Sequence, residues 1–393
     1  MKLACVIHRY GADFAGGSEA HCRALAERLA ANHAVTVLTT TARDYVTWEN
    51  HYAPGASALG PVNILRFPVA RQRNLARLAE LTDRALAHDA TEADQLEWFS
   101  ENGPVVPGLI EHLRAHGHEF DFVLCWSFRY YTAFHAVQAM PARAVLVPTA
   151  EEDPVLWMDY LRRFFPMPAG HIFLTPEEQA LVTERAAAPL GPSIVIGGGL
   201  DAPAPVPDAE VEAALASVGV RAPYALYLGR VDRNKGCEPL FEFYTAYADR
   251  GGALPLVLAG PAAMPVPDHP AVRPLGYVSD TVRDALLARA RVLVVPSPYE
   301  SLSLALLEGW NHGRPAIVNA RCRVLKGQVR RADGGLFYRN AHEFAECLTY
   351  AVDHAETMEQ LGRQGQAYVD REYRWPHIMA KVERFLADLH ARR

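Results

Sequence analysis

The sequence lacks several features that would assign it quickly to a class of protein. Its six cysteines are scattered along the chain, at Cys5, Cys22, Cys125, Cys237, Cys322 and Cys347. Because no two of them form a C-x-x-C pair, we expect neither a disulfide framework nor a cysteine zinc site. No run approaches the roughly 18 to 20 apolar residues of a membrane span. The sequence therefore predicts a cytoplasmic protein whose membrane contact, if any, is peripheral.

Positive charge is also scarce. The formal net charge is −6 and the sequence pI is about 6.2, so the chain has no overall cationic field and we expect no nucleic-acid partner. No D-x-D motif occurs anywhere in the sequence, and so we expect no metal ion bound through such a motif. The opening "MKLACVIHRYG" is too short in apolar residues for a signal peptide and predicts a first strand.

The residues that are present predict an alternating α/β protein. Half of the 393 residues are apolar, enough for two domains with cores of their own. Short apolar runs typical of strands buried on both faces recur with helical patterns between them. In the first half these runs are "LACVIH", "AVTVLT", "VNILRF", "FDFVLCW", "AVLVPT", "GHIFLT" and "PSIVIGG".

The second half repeats the pattern after a proline-rich stretch. Its strand candidates are "YALYLG", "LPLVLAG", "RVLVVPS" and "PAIVN". We therefore predict two doubly wound Rossmann-like domains that face each other across a cleft. The predicted boundaries are 1–202 for the first domain, 203–222 for a linker, 223–374 for the second domain, and 375–393 for a C-terminal helix that packs back on the first domain.

Two carboxylates in "PSPYESLSLALLEGWNHGRP", residues 296–315, indicate where a ligand binds. Glu300 follows a strand and precedes a helix, at the edge of a parallel sheet where ligands bind. The amides of the next residues have no helical partner and favour an anion, which the small Ser301 and Ser303 allow to come close. Glu308 lies deeper in an apolar helix, where an ionised carboxylate needs a partner such as a sugar or ribose hydroxyl.

A second loop supplies positive charge. "YLGRVDRNKG" places Arg230 at the end of a strand and Lys235 at the entry of a helix. An arginine binds a phosphate through two hydrogen bonds and a lysine binds it as a point charge. The pair therefore predicts a diphosphate site.

These motifs resemble those of the retaining glycosyltransferases of family 4, which have the GT-B fold. The stretch 296–315 is similar to their E-x7-E signature, and "GRVDRNKG" to their G-R-x-x-x-x-K-G motif. "GGSE" resembles their N-terminal Gly-Gly loop and "PLGYVSD" their base-side loop. The resemblance extends over nearly the whole chain and is most specific in the second half.

The resemblance implies a role for each matching residue. Arg230 and Lys235 would hold the donor pyrophosphate, together with the amides of Leu302, Ser303 and Leu304. Glu300 would contact hydroxyls of the donor sugar, and Glu308 those of the ribose.

Other parts of the donor would meet two further loops. Main-chain groups near Tyr277 and Val278 would meet the base, which the sequence does not identify as uracil or guanine. Gly16 and Gly17 would let the N-terminal loop approach the phosphates.

The acceptor side departs from the family pattern. The family often has a histidine after the strand that corresponds to "FDFVLC", where this chain has "WSFRYY", and Glu151 stands where related sequences often show another histidine. Arg129, Tyr130 and Glu151 lie at predicted strand ends and are the acceptor-side candidates.

The resemblance implies a metal-independent, hexosyltransferase-like enzyme without a cofactor. It would move a sugar from a nucleoside-diphosphate sugar to a hydroxyl of a glycan or lipid-linked acceptor in polysaccharide biosynthesis. A nucleotide-sugar binding protein without activity and a GT-B epimerase remain alternatives, because they would use the same donor contacts. A dehydrogenase is not expected, since the first strand leads to "HRYGADFAGG" without a G-x-G-x-x-G motif.

Overall fold

A computed structural model describes residues 1–14 and 16–393. The chain forms two compact units. The first comprises Met1–Gly199 together with Pro376–Arg393, and the second comprises Leu200–Trp375.

The first unit is built on an eight-stranded sheet. Its strands are β1 (Lys2–Val6), β2 (Ala34–Thr40), β3 (Gly55–Leu59), β4 (Val62–Phe67), β5 (Phe122–Trp126), β6 (Ala144–Val147), β7 (Gly170–Phe173) and β8 (Ser193–Val195). They lie in the order β3-β4-β2-β1-β5-β6-β7-β8, and every pair is parallel except β3 with β4.

Helices connect these strands. They are α1 (Gly17–Leu29), α2 (Leu75–Ala85), α3 (Glu92–Asn102), α4 (Pro107–His116), α5 (Tyr131–Ala139), α6 (Leu161–Phe164) and α7 (Pro176–Arg185). The apolar strand β1 is buried from Leu3 to Val6, as a strand covered on both faces requires.

The second unit has a six-stranded sheet in which all pairs are parallel. Its strands are β9 (Ala225–Leu228), β10 (Leu256–Ala259), β11 (Val272–Gly276), β12 (Val292–Val295), β13 (Ala316–Asn319) and β14 (Gly335–Tyr338). Their order is β11-β10-β9-β12-β13-β14. The prediction of an α/β chain with two Rossmann-like domains is therefore confirmed.

The helices of the second unit alternate with its strands, and one more helix ends the chain. They are α8 (Asp208–Ser217), α9 (Cys237–Asp249), α10 (Asp280–Arg289), α11 (Leu304–Asn311), α12 (Arg323–Ala332), α13 (Ala341–Asp353), α14 (Ala355–Glu372) and α15 (Trp375–Ala391).

The proline-rich stretch 203–222 is more ordered than its composition suggests. It lies in the second unit and contains α8, which buries Val211 and Leu215. Arg289 of α10 holds this helix through ion pairs to Asp208 at 2.7 Å and Glu212 at 2.9 Å. An apolar stripe and two ion pairs thus hold α8 against α10.

The C-terminal helix α15 belongs to the first unit from Pro376 onward. Glu383 accepts hydrogen bonds from His33 Nε2 at 2.6 Å and from Asn32 Nδ2 at 3.3 Å. The apolar side chains of Phe385 and Leu389 lie so close to Gly170 that a Cβ there would be 3.1 and 2.9 Å from them.

Candidate functional site

The strongest candidate site lies at the centre of the second sheet. Strands β9 and β12 are neighbours, but the chain continues from β9 towards β10 and β11 on one side and from β12 towards β13 and β14 on the other. Such a switch point leaves a crevice at the carboxyl ends of the strands, where open α/β sheets bind their ligands. We call the loops that follow β9 and β12 in this sheet the second switch point.

The loop after β9 carries both predicted cations, and Asp232 orders it. One carboxylate oxygen, Oδ2, lies 2.9 Å from Arg230 Nε, and the other, Oδ1, accepts the amide of Asn234 at 2.7 Å. The Asp232 carbonyl also accepts the amide of Lys235 at 3.1 Å. A single residue thus connects the side chain of Arg230 with the turn that carries Lys235.

Gly236 brings this loop against the loop that follows β12. Its φ of +75° lies in the left-handed region, and a Cβ there would lie 2.3 Å from the carbonyl oxygen of Pro296. The same carbonyl accepts a hydrogen bond from Asn319 Nδ2 at 3.0 Å. Only glycine fits both the conformation and the space, so the glycine of the K-G pair keeps the two loops in contact.

The structure brings Lys235 and Glu300 together. Lys235 Nζ donates to Glu300 Oε1 at 2.8 Å, and the side chains are 36% and 11% exposed. Arg230 is also 36% exposed. Two cations and a carboxylate therefore reach the surface of the second switch point.

The amides that the sequence assigns to an anion stand just before and at the start of α11. The helix begins at Leu304, three residues later than the first turn predicted from Ser301, and Ser303 is its N-cap. Ser303 has a φ of +71°, unusual for a residue other than glycine, and its Oγ accepts the amide of Leu306 at 3.4 Å. Leu302 is fixed through its carbonyl, which accepts from the buried Gln328.

Glu308 lies one turn further along α11 and is partly buried. Burial raises the pKa of its carboxyl, while the charge of Arg283 on α10 acts in the opposite direction. Arg283 is itself held by Asp280 at 2.8 Å and Asp284 at 2.9 Å. Arg283 therefore opposes the effect of burial on Glu308, whereas Asp284 and Asp280 act in the same direction as burial.

The predicted base-side residues follow β11. Tyr277 is 80% exposed, the most exposed of the large apolar side chains in the described part of the chain, and Val278 is half-buried. Gly276 just before them has a φ of +69° with open space around its Cα. The residues on this loop are thus available to a ligand.

The equivalent place in the first sheet has a different character. There β1 and β5 are neighbours, and the chain leaves them in opposite directions; we call the loops that follow these two strands the first switch point. His8 and Arg9 follow β1, and both contact Glu19: His8 Nε2 lies 3.1 Å and Arg9 Nε 3.0 Å from Glu19 Oε1. His8 and Glu19 are only 2% and 6% exposed, so this cluster is largely closed to water.

Gly16 and Gly17 stand at the start of α1, in front of Glu19. Gly16 is the N-cap residue, with no side chain to cap the helix, and Gly17 is the first helical residue. A Cβ on Gly16 would lie 2.2 Å from Glu19 Oε2. The first glycine therefore makes room for the carboxylate that holds His8 and Arg9.

The acceptor-side candidates lie in the first unit as well. Tyr130, after β5, packs its ring against that of His8, with 3.9 Å between centroids and an angle of 36° between the ring planes. Arg129 Nη2 pairs with Asp153 Oδ2 at 2.7 Å and lies 3.8 Å from Glu151 Oε2. These residues thus form a paired, partly buried group, while Glu152 beside them is half-buried.

Strained backbone surrounds this group. Ser127 after β5 and Thr149 after β6 have φ values of +64° and +49°, and their hydroxyls lie 2.7 Å apart. Ser127 Oγ also donates to Ser18 Oγ at 3.1 Å. Residues other than glycine adopt such conformations at a cost, and they cluster at functional sites.

A pocket of 470 Å³ opens in the first unit beside Arg9, which belongs to the cluster of His8, Arg9 and Glu19. Its lining is polar and nearly balanced in charge: Arg9, Arg43, Asp44, Tyr45, Glu49, Asn50 and His51. Arg9 connects the pocket with Glu19, and its guanidinium also lies 5.3 Å from the centre of the Tyr45 ring. Carboxylates, an amide and an aromatic ring of this kind can hold a polyhydroxylated ligand.

Comparisons with known proteins show what the chain resembles. Residues 222–354 match the family model of glycosyl transferases group 1. The matched range contains all the predicted site residues of the second unit. No curated protein matches the chain in sequence.

Solved structures match over the full length of the chain. Sucrose-phosphate synthase from Thermosynechococcus elongatus has a TM-score of 0.72 at 18% identity, covering 100% of both chains. HepE from Anabaena, in complex with UDP and glucose, has a TM-score of 0.70 at 13% identity, covering 99% of this chain and 100% of the other. Trehalose 6-phosphate synthase from Burkholderia multivorans has a TM-score of 0.68 at 13% identity, covering 100% and 98%. The fold is therefore GT-B, as predicted.

The described residues contain neither a metal-ligand cluster nor a helix suited to a membrane. No group of three or more His, Cys, Asp and Glu side chains in residues 1–14 and 16–393 is arranged to hold a metal ion. None of the helices in that part of the chain combines the length and the apolar content that a membrane crossing needs.

Sequence reasoning missed three residues that organise these sites. Asp232 lies between Arg230 and Lys235, and its signal in the sequence is that an acid two residues before a turn amide often caps that amide. Arg283 gave no local signal, because its relation to Glu308 depends on packing between α10 and α11. Glu19 stands in the "GGSE" motif, but the sequence does not show that it is buried, because burial is a tertiary property.

Proposed function

We propose that this protein is a retaining glycosyltransferase of family 4 that uses a nucleoside-diphosphate sugar. The observation that carries the proposal is the direct contact of Lys235 with Glu300 at the second switch point, where Arg230 is also partly exposed. All three residues lie in the range that matches the glycosyl transferases group 1 model. The bound UDP and glucose of HepE, a protein of the same fold, support a nucleotide-sugar donor.

In the proposed reaction the second switch point holds the donor. Arg230, Lys235 and the amides of 302–304 take the two phosphates and stabilise the negative charge that grows on the leaving diphosphate. Glu308 accepts the ribose hydroxyls, and main-chain groups at 277–278 meet the base. Protein cations carry out this neutralisation, so the reaction needs no metal ion.

Glu300 orients the sugar through its hydroxyls. The acceptor oxygen bonds to the anomeric carbon on the face from which the diphosphate oxygen departs, and the acceptor proton passes to that oxygen. The configuration is then retained without a protein nucleophile. Positioning of the two reactants supplies the rest of the rate enhancement.

The first unit takes the acceptor in this proposal. The 470 Å³ pocket and the neighbouring Arg129, Tyr130 and Glu151 suit a hydroxyl-rich glycan or the glycan part of a lipid-linked acceptor. The nearly balanced charge of the lining favours a neutral saccharide over a phosphorylated one. An extended neutral glycan, the product of transfer to such an acceptor, fits a role in polysaccharide biosynthesis.

A binding experiment with a matched control tests the donor site. Lys235→Ala and Arg230→Ala should each weaken UDP or GDP binding about ten-fold or more, because each removes a charge-assisted hydrogen bond of roughly 1.5 to 3 kcal/mol. Arg233→Ala is the control, since Arg233 belongs to the same turn but is 74% exposed and lies 3.4 Å from Glu238. Calorimetric titration measures all three variants.

Equal affinities for Lys235→Ala, Arg233→Ala and the parent would contradict the donor assignment. Transfer itself is tested with the nucleotide sugar that binds and a panel of glycan acceptors, in the presence of EDTA. An α-linked product from an α-linked donor, detected by NMR, supports retention. Binding without any transfer would show that the chain is a nucleotide-sugar binding protein and not a transferase. Activity that requires added manganese would contradict the proposal that the reaction needs no metal ion.

A further inference from the structure

The pair formed by Lys235 and Glu300 joins two residues that the proposed function assigns to different parts of the donor. Lys235 is assigned to the diphosphate and Glu300 to the sugar. In the structure they contact each other directly, Nζ to Oε1 at 2.8 Å. Glu300 is the more buried partner, 11% exposed, so its charge is poorly screened by water from an anion that approaches Lys235.

A bare nucleoside diphosphate and a nucleotide sugar meet this pair differently. The diphosphate alone brings negative charge to Lys235 and offers nothing to Glu300, so the carboxylate both competes for the ammonium group and repels the ligand. The full donor brings hydroxyl groups as well, which donate to the carboxylate. The cost of separating the pair is then offset only for the sugar-bearing ligand.

We propose that Glu300 is a specificity-determining residue that selects the sugar-bearing donor over the bare nucleoside diphosphate. Because this inference rests on the proposed function, it applies to the same site and to the same two ligands. It also gives Glu300 a role after transfer. Once the sugar has left, the carboxylate regains Lys235 and weakens the hold on the diphosphate product.

A neighbouring pair supports the same electrostatic design. Arg230 Nε lies 2.9 Å from Asp232 Oδ2, so both cations of the site have a carboxylate beside them. Asp232 is occupied by the loop backbone through its other oxygen, which accepts the amide of Asn234. Glu300 differs because it stands on another loop, after β12, and is the carboxylate that the proposed function turns towards the sugar.

The test compares ligands in a double-mutant cycle. Glu300→Gln should bind UDP or GDP about five-fold more tightly than the parent, because it removes the competing charge; the gain is moderate since Lys235 is 36% exposed and partly screened. The affinity for the nucleotide sugar should rise less or fall. In the Lys235→Ala background, Glu300→Gln should tighten the nucleoside diphosphate less than it does in the parent, because the competition for the ammonium group is gone and only the direct repulsion between carboxylate and phosphate remains.

Two controls separate this outcome from general charge effects. Glu238→Gln removes one negative charge from the start of α9, at a side chain that is 62% exposed, and should change nothing. Glu308→Gln should weaken the nucleoside diphosphate, the opposite sign from Glu300→Gln. Thermal unfolding of each variant checks that the second unit remains folded.

The results distinguish this inference from the proposed function. If Lys235→Ala weakens the nucleoside diphosphate but Glu300→Gln binds it no more tightly than the parent, the selection role is overturned while the donor site stands. The same tightening in the Lys235→Ala background would also overturn it. If Lys235→Ala binds as the parent does, the donor site itself fails.

Discussion

The two units carry titratable residues at the same position of their sheets, the switch point between two central strands, but expose them to different extents. At the first switch point His8, Arg9 and Glu19 close on one another and are 2%, 13% and 6% exposed. At the second, Arg230 and Lys235 are both 36% exposed. Topology alone therefore predicts where a crevice forms, whereas exposure tells which charges are available to a ligand.

The difference also separates structural from ligand-binding charge. Most side-chain polar atoms of the three-residue cluster in the first unit have partners within the cluster. One exception is His8 Nδ1, which is buried and has no hydrogen-bond partner among the described residues. In the ion pairs of the second unit, part of each cationic side chain, Arg230 and Lys235, remains exposed to solvent. Replacing Glu19 should thus affect stability, and replacing Arg230 or Lys235 should affect binding.

The largest expected effect is on the stability of the first unit. Glu19→Gln removes the only negative charge that contacts Arg9 and His8 within the cluster, and breaking a buried pair on one side costs about 3 kcal/mol. Hydrogen exchange of α1 in increasing urea measures the loss. Glu80→Gln, at an exposed pair with Arg77, is the control and should leave the stability nearly unchanged.

The same residue predicts a pH dependence. Burial alone would raise the pKa of Glu19, but His8 and Arg9 hold it down at about 2, below the ordinary 4.5. Because the folded pKa is the lower one, the stabilisation is fully present above pH 4.5 and is lost as the pH falls towards 2. The stability difference between Glu19→Gln and the parent should therefore shrink over that interval. A constant difference would show that the carboxylate charge is not responsible.

A smaller effect is expected where the two loops of the second switch point touch. Gly236→Ala must separate them, because its Cβ would lie 2.3 Å from the Pro296 carbonyl, and it also places alanine at a φ of +75°. We expect a loss of about 2 kcal/mol or more in the second unit, together with weaker nucleoside diphosphate binding. Gly251→Ala is matched in conformation, at +87°, but has open space and should cost about 1 kcal/mol without affecting binding. Equal behaviour of the two variants in urea unfolding and titration would refute the close approach.

The smallest effect concerns Tyr277. Its ring is 80% exposed, so Tyr277→Ala should leave the melting temperature unchanged. If main-chain groups on this loop meet the base, the nucleoside diphosphate affinity should change less than about three-fold, as measured by calorimetry. A ten-fold loss would mean instead that the ring stacks on the base, since such stacking is worth roughly 1 to 3 kcal/mol.

The sequence predicted the central strands well and missed three strands at sheet edges. β3, β11 and β14 each lie at the end of a sheet, where one side is open and a continuous apolar run is not required. β3 reads "GASAL" and is largely exposed, and β11 contains Pro274. Burial produces the pattern that makes a strand recognisable, so an exposed edge strand carries little of it.

For the candidate site, the sequence identifies the individual residues but not the contacts between them. Arg230, Lys235 and Glu300 could be found from the sequence because each follows a recognisable strand or starts a helix. Their pairing could not, because it depends on how the loops after β9 and β12 pack around Gly236 and Pro296. The role of Arg283 beside Glu308 is likewise a product of tertiary packing.

Hydrogen exchange of the whole chain with and without UDP, and separately with GDP, tests whether the donor binds at the loops after β9 and β12. We expect the nucleotide that binds to slow exchange in peptides covering 229–236 and 296–304, the loops of the second switch point. We also expect Lys235→Ala to remove this protection and Arg233→Ala to retain it. Protection confined to other peptides, or no protection of these loops by either nucleotide, would contradict a donor site at this position.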